Sequence, residues 1–475
     1  MFRYPILLLV ILSLGACAGG SSKGKSGGKK RTVLLNTEYD DVRVGEETSR
    51  QMIASVGLLE DPTLNAYVSE IGRKLLRGVP HRGFRYQFYV TDQTEPNAFA
   101  LPGGHIFISR GLLAVANNED ELACVIGHEI THVAHRHAAE QQALARNSSG
   151  LLSGFGAAGR MARYSRDMER DADHGGQILC AAAGYSPMGM STFLRSLDQL
   201  QRLQVGYAPG TGFLDSHPGS RERAAVNAAR SHEIRWRRDP RLGDSRQKLL
   251  DKTEGLPVGQ RPETGVFQST LFVHPELGFK VRFPRGWRTS NTAQAVGASS
   301  PRGNAIVFLT ADQGPGDPRT MAKEWLEKER ESGKIRLEES KLVRVGEIDG
   351  WRLQIRSAAR GLSVTGIVTF FPWSGGTWRI VGIAPTSKVK SELGSLTLPS
   401  RSFSPLEPGD ADVIESHHLH VVRASQGEAL ERLSLRTDNT WSVLETAINN
   451  GVFSDHRFEH GDLVKVAKTE QAPAP

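Results

Sequence analysis

The chain has 475 residues, 39% hydrophobic and 23% charged, with a formal net charge of +7. That length exceeds one ordinary core, so about two to four domains are expected, and the composition is that of a globular chain, neither disordered nor polytopic. Lysines and arginines are spread along the chain with acidic residues beside them, which gives no nucleic-acid footprint and reads as a solvated basic surface.

The first stretch, MFRYPILLLVILSLGAC, has one early cation (Arg3), an apolar run, and small residues before Cys17. The run is too short to cross a bilayer, so the pattern predicts a secretory signal over 1–17. Leu14-Gly15-Ala16-Cys17 resembles a bacterial lipobox, which implies lipidation at Cys17; an ordinary signal with a chance cysteine is the alternative. Residues 18–35, rich in Gly, Ser and Lys, read as a flexible tether. Together these describe a domain held to a membrane by a lipid anchor in an exported compartment. Ala18 and Gly19 carry no aspartate retention signal, so resemblance to lipoproteins in general favours the outer membrane, facing the periplasm of a bacterial cell envelope.

Residues 36–234 read as mostly helical. EETSRQMIASVGLL and LNAYVSEIGRKLLRGV have apolar residues at helical spacing, the second opening at a cap, Asp61-Pro62. FRYQFYVTD alternates as a strand, and GGHIFISRGLLAV reads as a strand running into a helix. Residues 235–265, charged and carrying Pro and Gly, read as a linker. From 266 to 400 successive strand-like runs surround one helix near MAKEWLEKER, giving an α+β domain. A second linker spans 401–413. Residues 414–468 read as a last small domain, and 469–475 as a tail. Cys124 and Cys180 remain for a disulfide or for two buried thiols, and the sequence leaves both open.

His128-Glu129-Ile130-Thr131-His132 has the form H-E-x-x-H. On a helix, residues four apart differ by about 40° in azimuth, so both imidazoles face one cation. Zinc suits two neutral imidazoles and a carboxylate, with one position left open. A further histidine after a glycine is excluded, because Ala138 and His135 occupy those positions. Downstream, SRDMERDAD places Glu169 and Asp173 one helical turn apart on one face. Glu169 completes a His2Glu set, and Asp173 is placed to accept a ring N–H from a ligating histidine. A solvated, acid-rich helix start is the bland alternative.

HEITHVAHRH followed by SRDMERDAD resembles the CAAX-prenyl-protease and HtpX-related zinc metallopeptidases, a gluzincin family, over about 40–234. The resemblance implies a mainly α, zincin-type domain with a small β-sheet. It implies one Zn2+ per chain on His128, His132 and Glu169, with Glu129 as general base and Asp173 behind a ligand. It also implies the family's lipoprotein or periplasmic branch, which serves outer-membrane protein quality control and β-barrel assembly. His135 is expected as a hydrogen-bonded core histidine, with Arg136 and His137 structural. His217, in FLDSHPGSRER, resembles the family's closing His-Pro motif; gating or oxyanion contact and plain helix capping stay open. Tyr164, Arg221 and Arg223 are weaker oxyanion candidates.

Asn97 and Gly103-Gly104 precede an apolar strand, so Gly104, His105, Ile106 and Phe107 are expected to take an unfolded peptide as an added strand. An ordinary sheet edge is the alternative. Residues 145–164, rich in small residues, read as a lid or a simple loop. GFKVRFPRGW weakly resembles PsbP-type α+β domains. Residues 414–468 resemble the LysM pattern of strand, helix, helix, strand, with Asn450-Gly451 and Gly461-Asp462 in place. That resemblance implies peptidoglycan binding, although Glu428-Ala429 replaces the family's Asp-Thr after Gly427. The reading is a lipid-anchored zinc endopeptidase that cleaves unfolded or misassembled polypeptides, with outer-membrane assembly machinery as a partner. An assembly factor or holdase with a latent zinc site, or a cell-wall-binding lipoprotein, are the alternatives.

Overall fold

The computed structural model describes residues 37–81, 83–147, 165–203, 212–218, 220–292, 294–312, 316–331, 335–359, 362–407, 409–410 and 414–470. The signal with Cys17, the tether, Tyr164 and most of the lid candidate lie outside the described residues. Among the described residues the chain divides into two compact units, one of residues 37–259 together with 416–470, the other of 260–415. No helix among the described residues is long and apolar enough to cross a membrane.

The first unit opens with α1 (Glu38–Val56), started by a reciprocal capping box between Thr37 and Asp40, and α2 (Pro62–Leu75). The Asp61 side chain accepts from Leu64 N at 2.9 Å, and Pro62 sits where no N–H is needed. Strands β1 (Gln87–Thr91), β2 (Ala98–Leu101) and β3 (His105–Ser109) form a sheet in the order β1-β3-β2. Next come α3 (Arg110–Val115), α4 (Glu119–Ala134) and α5 (His137–Asn147). They are followed by α6 (Arg166–Ala182), α7 (Gly189–Leu203) and α8 (Ser220–Glu233), with a single turn at Phe213–Ser216.

Helices α4 and α6 cross at Gly127 and Gly176. A Cβ on Gly176 would lie 2.7 Å from His128 N, and one on Gly127 would lie 3.0 Å from Gly176 O. Only glycine lets these two backbones touch. Helix α4 is buried all round, with every residue from Leu122 to Ala134 out of solvent, so it is the central rod of the unit.

The stretch 235–265, expected as a linker, instead holds α9 (Ser245–Thr253), with Leu249 and Leu250 fully buried, and the short strand β4 (Pro257–Val258). The segment expected as a separate last domain does have the order strand, helix, helix, strand: β5 (Ser416–Arg423), α10 (Leu430–Arg436), α11 (Val443–Asn450) and β6 (Leu463–Glu470). Strand β5 pairs with β6 along its length and with β4 at His417 and His418. Leu419, Ile448 and Ala467 belong to the same core as Leu122, Phe193 and Phe213. Lys465 is fully buried and donates from Nζ to Ala114 O and Ala116 O, each at 2.8 Å, at the end of α3. The segment is therefore part of the first unit, because its apolar face is covered by that unit's helices.

In the other unit a seven-stranded antiparallel sheet runs Ile335–Val345, Ile348–Ala359, Leu362–Trp373, Gly376–Pro385, Ile306–Ala311, Val296–Ser299, Arg288–Asn291. A four-stranded sheet accompanies it, with the expected helix Pro318–Glu331 and an unexpected one, Val389–Ser402.

Candidate metal centre

Helix α4 presents His128 and His132 one turn apart, α6 presents Glu169, and the turn Phe213–Ser216 delivers His217. One ligand atom from each of the four lies within 4.8 Å of every other, and all four residues are buried. His128 Nε2 is 3.0 Å from His132 Nε2 and 3.2 Å from His217 Nδ1. Glu169 Oε2 is 3.6 Å from His128 Nε2, its Oε1 is 3.6 Å from His132 Nε2, and His217 Nδ1 is 3.0 Å from Oε1.

The donor set fits a cation. Three imidazole nitrogens and a carboxylate converge in a space shielded from water, and adjacent Nε2 lone pairs repel unless something positive lies between them. Burial, with His128, His217 and His137 as further causes, holds the His132 imidazolium form far below its usual range. The ring is thus neutral, as a ligand must be. Burial pushes the Glu169 carboxyl up, but His217, His128 and Arg223 outweigh it and leave it lowered, hence ionised.

The surrounding contacts orient these ligands. His128 Nδ1 faces Asp173 Oδ1 at 3.0 Å, which leaves its Nε2 lone pair toward the centre. The Asp173 carboxylate also accepts from Arg223 Nε at 2.8 Å, Arg223 Nη2 at 2.6 Å and Asn227 Nδ2 at 2.9 Å. Arg223 Nη1 reaches Glu169 Oε2 at 2.6 Å. Burial raises the Asp173 carboxyl, and the Arg223 pairing more than reverses it, far below the usual range. Glu129 is fully buried, and neither of its oxygens has a hydrogen-bond partner among the described residues; Oε1 lies 3.5 Å from His217 Nε2. Burial raises its carboxyl, opposed by His217 and His128.

Other expected site residues fall elsewhere. Gly104, His105, Ile106 and Phe107 cannot accept an added strand, because β3 is the middle strand, parallel to β1 on one side and antiparallel to β2 on the other. The outer strands are β1 and β2, and the end of β2 borders a small cleft lined by Leu101, Pro102, Gly103, His132, Val133 and Arg136. Arg221 is exposed and pairs with Asp198 at 3.2 Å, away from the centre, while Arg223 is an ion-pair partner of Glu169 and Asp173. His135 is not a core residue: its side chain is 50% exposed and meets Asp171. His137, expected as structural, contacts His132 Nδ1 through its own Nδ1 at 2.9 Å. Cys124 and Cys180 are both buried free thiols.

An H-E-x-x-H helix, a carboxylate from a second helix and a supporting aspartate define a zincin-type metallopeptidase centre. Residues 61–231, about a third of the chain, match the model of Peptidase family M48, and this match together with the buried donor set supports a zinc metalloprotease. The chain is 29% identical over 198 residues to the mitochondrial metalloendopeptidase OMA1 of Schizosaccharomyces pombe, covering 38% of this chain and 58% of that protein. It is 30% identical over 215 residues to the Beta-barrel assembly-enhancing protease of Yersinia pestis, covering 40% and 44%. The Escherichia coli K12 protein of the same name is 29% identical over 219 residues, covering 41% and 44%. The chain thus spans about half the length of these relatives. Among solved structures, cyanobacterial PsbP (CyanoP) from Synechocystis aligns over 31% of this chain and 98% of its own, with 10% identity and a TM-score of 0.25.

Proposed function

We propose that the chain is a zinc-dependent endopeptidase acting on unfolded or misassembled polypeptides at the periplasmic face of the outer membrane. The observation that carries this reading is Glu129: an ionisable side chain buried without a hydrogen-bond partner, beside a convergent His2Glu set. Such a group costs folding free energy and is retained where it has chemistry to do. His128, His132 and Glu169 would hold the ion. Zinc there supplies Lewis acidity, which polarises a peptide carbonyl and acidifies water. A Glu129 carboxylate oxygen takes the proton of the attacking water; as the C–N bond breaks, it returns that proton to the leaving nitrogen. Asp173 holds His128 in the tautomer that ligates through Nε2. An extended substrate pairs with the outer strand β2, next to the cleft that reaches His132.

Envelope placement rests on the signal and the lipid anchor at Cys17, and on relatives named as β-barrel assembly-enhancing proteases. Assembly machinery as a partner, and peptidoglycan contact through the LysM-like segment, belong to the same proposal. One observation favours a latent centre. His217 Nδ1 lies inside the ligand group, where it would compete with water for a bound ion.

Bound zinc and casein cleavage, measured for wild type and Glu129→Gln, test the reading. The variant should keep its zinc and lose cleavage by roughly 10²–10⁴-fold, the range of a general base. Equal cleavage by both proteins rejects the catalytic assignment. If neither cleaves yet both restore outer-membrane integrity to a deletion strain, the assembly-factor reading replaces it.

A further inference from the structure

We propose that His135, His137 and Asp171 form a second transition-metal site, distinct from the His128/His132/Glu169 centre and antagonistic to it. One ligand atom from each lies within 4.8 Å of the others. His135 Nδ1 is 2.5 Å and His137 Nε2 3.1 Å from the same carboxylate oxygen, Asp171 Oδ2. Two imidazoles and a carboxylate are a donor set for zinc and its first-row neighbours. With zinc–ligand bonds of about 2.0–2.1 Å, tetrahedral donor atoms lie about 3.3 Å apart. The three side chains therefore need only spread slightly to admit the ion.

The backbone is shaped for this convergence. Arg136, between the two histidines, has φ 55°, a left-handed conformation uncommon outside glycine. Its guanidinium is tied to Asp41 at 2.6 and 3.1 Å. The turn it makes points side chains two residues apart toward one aspartate on α6. The His135 and Asp171 side chains are 50% and 46% exposed, so water can complete the coordination and ions can exchange with solvent.

Antagonism follows from proton bookkeeping. When His132 ligates through Nε2, its proton is on Nδ1 and is donated to His137 Nδ1 across 2.9 Å. His137 then carries its own proton on Nε2, toward Asp171. A cation on His137 Nε2 displaces that proton to Nδ1, which keeps the ring neutral. On Nδ1 it opposes the His132 proton and breaks the hydrogen bond that orients His132. Occupancy of either site thus weakens the other by the same factor.

Only this coupling rests on the endopeptidase reading; the second site stands without it. The test is zinc stoichiometry of the full chain by equilibrium dialysis, for wild type, His135→Ala and His128→Ala. Wild type should take up two equivalents, the second more weakly. His135→Ala should lose the weaker equivalent and His128→Ala the tighter one. Removing even an outer partner weakens a metal site roughly 10–100-fold, so loss of a ligand should shift the second equivalent at least tenfold. Excess zinc should also inhibit casein cleavage by wild type and spare His135→Ala, whose half-exposed position tolerates alanine. One equivalent in wild type up to millimolar zinc, or two in His135→Ala, overturns the proposal. Loss of the second equivalent in His135→Ala without cleavage by any protein would reject the endopeptidase reading and leave this site standing.

Discussion

Gly176→Ala tests the contact on which the centre is built. The added Cβ would meet His128 N at 2.7 Å, whereas ordinary contact begins near 3.4 Å, so α4 and α6 must part by about 0.7 Å. That exceeds the tolerance of about 0.2 Å on a metal–ligand distance, and it moves Glu169 relative to His128 and His132. Two effects on stability oppose one another. Overpacking costs about 1–3 kcal/mol, while exchanging a mid-helix glycine for alanine returns up to about 1 kcal/mol. The clash wins, leaving metal-free stability lower by about 1 kcal/mol. Zinc affinity should fall by roughly 10–100-fold, as when ligand orientation is lost. Chelator competition reads the affinity, and urea unfolding in the presence of chelator reads the stability. Gly394→Ala is the control. It too is helical, nothing lies within 4 Å of its added Cβ, and it should stabilise by up to about 1 kcal/mol. If Gly176→Ala matches wild type in both affinity and stability, the glycine crossing does not set the geometry of the centre.

Three more outcomes are expected. Asp173→Asn keeps the shape but removes the charge that pairs with Arg223 and faces His128, so zinc affinity should drop roughly 10–100-fold in the same competition assay. Leu419→Ala, in the C-terminal strand, should destabilise the metal-binding unit by about 2–5 kcal/mol. The zinc-release midpoint in urea should move with the unfolding midpoint; a shift in unfolding alone would mean the segment is a domain of its own. In the other unit, burial lowers His274 from 6.5 to about 4. The unfolded state therefore binds the proton first, and the stability due to neutral His274 is complete above about 6.5 and lost as pH falls toward 4. His274→Gln should flatten that slope in urea melts followed by tryptophan fluorescence, and an unchanged slope would assign it to another group.

The metal ligands were legible because their signals are local. H-E-x-x-H fixes two imidazoles on one face by helix geometry alone, and Glu169 and Asp173 are one turn apart. His217 could be marked as a candidate but not placed, since its position depends on how the Phe213–Ser216 turn packs. His137 and Asp171 gave no signal, because their convergence depends on a left-handed residue between two histidines. Strand β3 departs from the expected edge although its sign is in the sequence: HIFIS carries apolar residues on both faces, the mark of an interior strand. The helix Val389–Ser402 was hidden by Pro399 and by serines and threonines that weaken helical patterning. Nothing periodic could announce that Lys465 caps α3, a contact between residues about 350 apart.

That last contact also orders events in time. Chains emerge from the ribosome N-terminus first, so every ligand up to His217 is made well before β5 and β6, which finish the core beneath α4 and α7. The whole of 260–415 must be looped out before those strands can dock. The entropic cost of such a loop grows only with the logarithm of its length, but pairing at this sequence distance slows folding. A partly made chain therefore holds its ligands before the core around them is complete. Docking of β5 and β6 is what closes that core.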